Sequence, residues 1–178
     1  MKENNQYNYC KVIGDTHVGC KRKVNEDSFD HFECKNGLVS VVCDGMGGHV
    51  GGAKASSLAV ETIKELLNNK YFNDPKEAII EACNEANLVI LQYASQHSEL
   101  SGMGSTCVIL IVRDGQVFIG SIGDSRAYLI RSKNIKQLTT DQSYVQLLVN
   151  EGIITKEQAE HHPRKNEITN ALGLTSMQ

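Results

Sequence analysis

Apolar residues in this chain keep three rhythms. Residues 38–43, LVSVVC, form a short run rich in β-branched side chains, the composition of a strand buried on both faces. From Ala53 to Asn68 the spacing lengthens: Ala55, Leu58, Ala59, Ile63, Leu66 and Leu67 recur at helical intervals and predict an amphipathic helix. A second helix announces its own start, with Asp74 as N-cap, Pro75 at the first helical position and Glu77 completing a capping box. Its buried stripe is Ile79, Cys83, Ala86, Ile90 and Tyr93. The segments TCVILIV, QVFIGSI and RAYLIR, separated by RDG and GDS, then read as strands; IKQL, after SKN, is a fourth, and together they predict an antiparallel meander. Two short helices close the pattern, one from a cap at Asp141 to Gly152 and one opened by a Thr155/Gln158 capping box and stopped near Pro163. Helices and meander strands mixed in this way predict an α+β layered fold rather than a regular βαβ winding.

Composition narrows the picture without redirecting it. A chain of 178 residues has length for one domain with a sizeable core, and no repeat, low-complexity stretch or proline-rich linker divides it, so residues 1–178 are expected to be one domain. A formal net charge of -3 argues against a nucleic-acid footprint. The polar start MKENNQYNYC has no apolar stretch of signal-peptide length, and the longest apolar run, Cys107 to Val112, is far short of a membrane span; the expectation is a cytoplasmic protein that contacts no membrane. The six cysteines include no CxxC pair, which disfavours a zinc site; Cys43, Cys83 and Cys107 fall in apolar patterns and read as small core residues.

The chemistry concentrates where the first strand ends. VVCDGMGGHVGG runs from that strand into Asp44 and then through five glycines among residues 45–52. Such backbone freedom is entropically costly and marks a place where main chain must come close to something. The phosphate-cradling templates fail: GxGxxG from Gly45 and Gly47 reaches Val50, Lys54 sits between alanines rather than in a P-loop, and no EF-hand begins at Asp44. An ionised carboxylate at the end of an apolar strand needs compensation by a cation or by donors. Two further acidic positions, Glu26-Asp27 in RKVNEDSF and Asp124 in SIGDSRAY, would join Asp44 in an all-oxygen set favouring Mg²⁺ or Mn²⁺. Taken singly, Asp27 and Asp124 read more readily as turn caps, since Asp-Ser pairs commonly serve that purpose, and only their combination favours the metal set.

Five ordered blocks, GCKRKVNEDSF, VVCDGMGGHVGGAKAS, GMGSTCVILIV, GSIGDSRAYLI and the stretch from Leu138 to Gly173, resemble those of the bacterial metal-dependent serine/threonine protein phosphatases, the PPM or protein phosphatase 2C family. The resemblance spans essentially residues 10 to 174. It implies an α-β-β-α sandwich of mainly antiparallel sheets flanked by helices, and hydrolysis of phosphoserine or phosphothreonine by a water bridging two Mn²⁺ or Mg²⁺ ions. Asp27 and Asp44 match the carboxylates that hold those ions, Gly45 a backbone-carbonyl ligand, Glu26 an acid acting through metal-bound water, and Asp124 the ligand of a third, weaker site. Arg22 matches the arginine that grips the substrate phosphate, a task suited to a bidentate guanidinium. His49 is a candidate proton donor to the departing serine oxygen, because its unperturbed pKa lies near working pH, and its alternative role is to hydrogen-bond the glycine loop around it. Residues 139–171 correspond to a flap beside the active site. Implied partners are phosphorylated proteins made by bacterial Ser/Thr kinases, met by a monomer with some capacity to associate through exposed sheet edges.

The sequence also departs from the family. Members continue past ITNALG into strands carrying an aspartate in an SDG-like motif and another in a GGxDN-like motif, so the expectation is a sandwich lacking its C-terminal strands and metal sites short of ligands. Gln142 stands where the family usually has His, Ala53 where Glu is common and Asn170 where Arg is common. Two readings follow from this: a phosphatase, carried by Arg22, Glu26, Asp27, Asp44 and Gly45, or a non-catalytic phosphoprotein-binding module of the same fold.

Overall fold

The computed structural model describes residues 10–174. Strand β1 (Asp27–Cys34) turns into β2 (Gly37–Met46), and the hairpin is antiparallel with Asp27 opposite Asp44 and Cys34 opposite Gly37. Helices α1 (His49–Asn69) and α2 (Pro75–Gln96) follow as an adjacent pair, then β3 (Gly104–Ser105), β4 (Cys107–Arg113) and β5 (Gln116–Ile122). The sheet order is β1-β2-β4-β5, with β3 paired to the far end of β2.

Strand alternation decides where the core sits. Val39, Val41 and Cys43 of β2 and Cys107, Ile109 and Ile111 of β4 are buried on the face that meets the helices. The facing helical positions include Ala55, Ala59, Ala82 and Ala86, all fully buried, and these small side chains let the helices lie close to the sheet while Ile63, Leu67 and Ile90 fill the remaining space. Cys43, Cys83 and Cys107 are buried in this cluster, as their apolar surroundings in the sequence predict. The opposite face of the sheet is more open: Val42 is 49% exposed and Val117 57%.

Two buried polar side chains stitch the far end of this layer. Asn36 donates from Nδ2 to the carbonyls of Leu67 and Lys70, 2.7 Å each, and accepts from the Phe72 N–H at 2.9 Å, so one side chain ties the β1–β2 turn to the end of α1. Arg113 donates to the Phe72 carbonyl at 2.7 Å and to that of Asn73. Gly37 follows Asn36 at φ 129°, and a Cβ there would lie 2.4 Å from the Val112 carbonyl oxygen, so glycine is required on both counts.

The α+β class with antiparallel sheets holds, and four details differ from the sequence reading. Helix α1 starts at His49, not Ala53, so Gly51 and Gly52 lie inside its first turns. At α2 the Asp74 carboxylate accepts from the Lys76 N–H at 2.8 Å, a simple cap without the return bond from Glu77. The meander stops at β5: β6 (Tyr128–Arg131) and β7 (Asn134–Gln137) form a separate two-stranded sheet, because Gly123 turns the chain away at φ 91°. Helix α3 (Tyr144–Asn150) is capped by Ser143 rather than Asp141, whose carboxylate is instead held by the Arg126 guanidinium. Helix α4 (Lys156–Glu160) has both halves of the expected Thr155/Gln158 capping box. After α4 the chain returns as a strap, bridging Ile168 to Ser143 and Leu172 to Ser105.

Candidate active site

The register of the first hairpin assembles the acidic corner. Asp27 and Asp44 are directly opposite on β1 and β2, so their side chains leave the same face of the sheet as nearest neighbours. Like charges placed this way oppose each other. Burial pushes the Asp44 carboxyl up from its ordinary 3.8 to about 6, helped by the Asp27 charge and a hydrogen bond to Asp27; Arg22 pulls it back and Asp124 adds a smaller upward push. Negative charge at this corner is therefore under-compensated by the protein's own groups.

Glu26, one residue earlier, points elsewhere. Its side chain is 9% exposed and accepts from Arg22 Nη1 at 3.0 Å. A Cβ at Gly52 would lie 2.8 Å from Glu26 Oε1, which places the carboxylate against the first turn of α1. That turn carries no acidic residue of its own, so Glu26 supplies the negative charge that a helix N-terminus favours. Arg22 itself is 56% exposed, and among the described residues Glu26 is its one hydrogen-bond partner, leaving other guanidinium donors open toward solvent beside Asp44.

The glycines answer to backbone packing. A Cβ at Gly45 would meet the Gly52 carbonyl oxygen at 2.0 Å and the Glu26 carbonyl oxygen at 2.8 Å, and the Gly45 N–H donates to that Glu26 carbonyl at 3.0 Å. Strand end, Glu26 and the start of α1 thus converge at one point where no side chain fits. The two glycines inside the helix cost about 1 kcal/mol each relative to alanine, and the close approach of Gly45 to Gly52 is what requires the second.

Residues that the sequence reading passed over hold Asp44 in place. Its N–H donates to Thr106 Oγ1 at 3.0 Å, and its carbonyl accepts from the Thr106 N–H at 2.9 Å and the Ser105 hydroxyl at 3.1 Å. Thr106 Oγ1 and Ser125 Oγ lie 2.7 Å apart, linking Asp44 to the loop that carries Asp124. The available signal was the pair of small polar clusters, GST and GDS, each abutting an apolar strand. Asp124 is half-buried and lines a cavity of about 1140 Å³ shared with Arg126, Asp141, Gln146, Lys156 and Lys165. His49 begins α1, but its side chain lies outside the described residues.

The structure therefore brings together Arg22, Glu26, Asp27, Asp44 and Gly45, with Asp124 at longer range. Among the described residues no three His, Cys, Asp or Glu side chains close around a single point. The Asp27–Asp44 pair nonetheless fits a divalent cation, since its donors are hard carboxylate oxygens and its excess negative charge is what such an ion relieves.

The sequence profile of the family described as Protein phosphatase 2C matches residues 13–174. The chain belongs to that family. Among protein phosphatase 2C relatives, the serine/threonine phosphatase Stp of Listeria monocytogenes is 40% identical over 164 residues, covering 89% of this chain and 65% of the relative. The solved serine/threonine phosphatase Stp1 of Staphylococcus aureus superimposes with a TM-score of 0.82 at 37% identity, over 89% of this chain and 64% of that one. The catalytic domain of PstP, solved in complex with two manganese ions, gives 0.75 at 32% identity over 90% of this chain and 65% of that one. The chain thus spans about two thirds of the length of the protein phosphatase 2C proteins it matches. No helix among the described residues is long and apolar enough to cross a membrane.

Proposed function

We propose that this chain acts on phosphoserine and phosphothreonine in proteins, hydrolysing the monoester to free hydroxyl and inorganic phosphate. The observation that carries the reading is the facing Asp27–Asp44 pair, with the raised Asp44 carboxyl and a partly open arginine beside it. Relatives named as serine/threonine phosphatases support the same reading.

Asp27 and Asp44, with the Gly45 carbonyl, would hold Mn²⁺ or Mg²⁺. When bound, two such ions lower the pKa of the attacking water and offset charge growing on the phosphoryl oxygens. Arg22 orients the phosphate with the donors that Glu26 leaves open, and Glu26 fixes the arginine by a charge-assisted bond. Asp124 is the candidate ligand for a third ion, and His49 stays the candidate proton donor on sequence grounds. Residues 139–171 form the flap in this reading, and the cavity beneath them accepts polypeptide flanking the phosphoresidue. Substrates are products of bacterial Ser/Thr kinases, met by a monomeric cytoplasmic protein.

The test is hydrolysis of p-nitrophenyl phosphate and of a phosphothreonine peptide by the 178-residue chain, with and without added Mn²⁺. Mn²⁺-dependent turnover is expected, and Asp44→Ala is expected to lower it by at least about a hundredfold, beyond the loss typical of a residue that only supports a metal ligand. Undiminished Mn²⁺-dependent turnover in Asp44→Ala would remove the metal assignment.

A further inference from the structure

Gly123, the residue before Asp124, is bonded on both sides of its peptide frame by one partner. Its N–H donates to Gln142 Oε1 at 2.8 Å, and its carbonyl accepts from the Gln142 N–H at 2.9 Å. The Gln142 carbonyl in turn accepts from the Thr169 N–H of the returning strap at 2.8 Å. Gly123 is buried at φ 91°, and a Cβ there would lie 2.7 Å from Thr106 Cγ2, so Thr106 closes over it while also bonding Asp44 and Ser125. Three segments far apart in sequence meet at this point: the strap, the start of the 139–171 segment and the Asp124 loop.

We infer that Gln142 is a positioning residue: its side chain and main chain fix the Asp124 loop against Thr106 and Asp44, and so join the 139–171 segment mechanically to the acidic corner. Where Asp124 serves as a metal ligand this rests on the proposed function above, whereas the clamp itself rests on the bonds alone. The acceptor is the feature that matters. Gln142→Leu keeps most of the volume and removes it, leaving a buried N–H without a partner; Gln142→His offers a ring nitrogen that accepts when neutral.

The experiment combines amide hydrogen exchange with Mn²⁺ binding, the latter followed by the EPR signal of unbound ion, on the 178-residue chain and both variants at about pH 8, where an ordinary imidazole is neutral. In Gln142→Leu the Gly123 and Thr106 amides are expected to exchange at least about tenfold faster, and the weakest class of Mn²⁺ sites to lose about tenfold in affinity. Amides in the middle of α2, such as Ile90, stay as in the parent, and Gln142→His restores both readouts. Unchanged exchange at Gly123 and Thr106 in Gln142→Leu would overturn the inference. So would faster exchange throughout α2, which would make Gln142 a general support of the fold. If the parent binds no Mn²⁺, the metal reading fails while the exchange pattern alone decides the clamp.

Discussion

Asp44 lies near the end of a strand paired on both sides, whereas Asp124 stands in a loop whose main chain is held by a residue nineteen positions later. The first acid inherits its place from the sheet. Its register is set by the alternation that buries Val39, Val41 and Cys43, and a slip of one residue would turn the core face outward. The second depends on a few hydrogen bonds outside the sheet ladder, each worth about 1 kcal/mol. A site assembled from both kinds of support has one half as stable as the core and another that yields far more readily. Under the proposed function, that division would leave the charged corner preorganised and the Asp124 side adjustable.

The comparison is broken most severely at Gly45. Alanine there would place a methyl group against two backbone carbonyl oxygens that no rotamer change can move aside, and we expect a stability loss of about 3 kcal/mol, at the upper end for overpacking. Urea unfolding of Gly45→Ala measures it; a midpoint equal to the parent's would mean the corner is pliable after all.

A smaller effect, of opposite sign, is expected at Asp44. Its folded carboxyl is raised from 3.8 to about 6, so the native state binds a proton more readily than the unfolded chain, and this contribution to stability is present at low pH and lost as pH rises through about 6. At neutral pH and without divalent ions, Asp44→Asn removes the penalty. The full shift corresponds to about 3 kcal/mol, and solvent screening of a half-exposed group reduces this to about 1. Thermal melts should place Asp44→Asn about 2–4 °C above the parent at pH 7, with the gain vanishing near pH 4. A gain that persists at low pH would point to packing rather than charge.

The least effect belongs to the ion pair beside the Asp124 loop. Arg126 is half-exposed and its guanidinium is held charged by hydrogen bonding to Asp141, but solvent screens such a pair. Asp141→Asn should cost no more than about 1 kcal/mol, with its loss confined in amide exchange to Ala127 and Leu138, whose N–H groups tie the β6–β7 ribbon to this loop. Destabilisation reaching β4 would contradict the separation between the two halves.

The two halves differed in legibility for the same reason. The strand leading into Asp44, both long helices and β4–β5 follow from apolar period, because burial against a shared core dictates them. The Asp27–Asp44 pairing followed only from the family resemblance, since register depends on partners distant in the chain. Helix α1 was read four residues late because glycine suppresses helix propensity, and the contact between Gly45 and Gly52 overrides that preference. The ribbon β6–β7 was misjoined to the sheet because strand composition carries no information about which edge a strand pairs with. The bonding roles of Thr106 and of Gln142, the latter noted only as a departure from the family, are not legible because a hydroxyl or amide bonded to distant main chain leaves no periodic trace.

The turn between β1 and β2 carries a chemical consequence of its own. Asn36 precedes Gly37, and asparagine is a thermolabile residue: attack of the following backbone nitrogen on its side-chain carbonyl expels ammonia, and water then opens the cyclic imide to a carboxylate. Here the side-chain amide is engaged by three main-chain groups at the end of α1, out of reach of solvent, so conversion awaits an opening of that end of the helical layer. Slow accumulation of the deamidated form, followed by mass spectrometry of the tryptic peptide, would then serve as a clock for that opening, and rapid conversion under native conditions would show that the amide is not held as described.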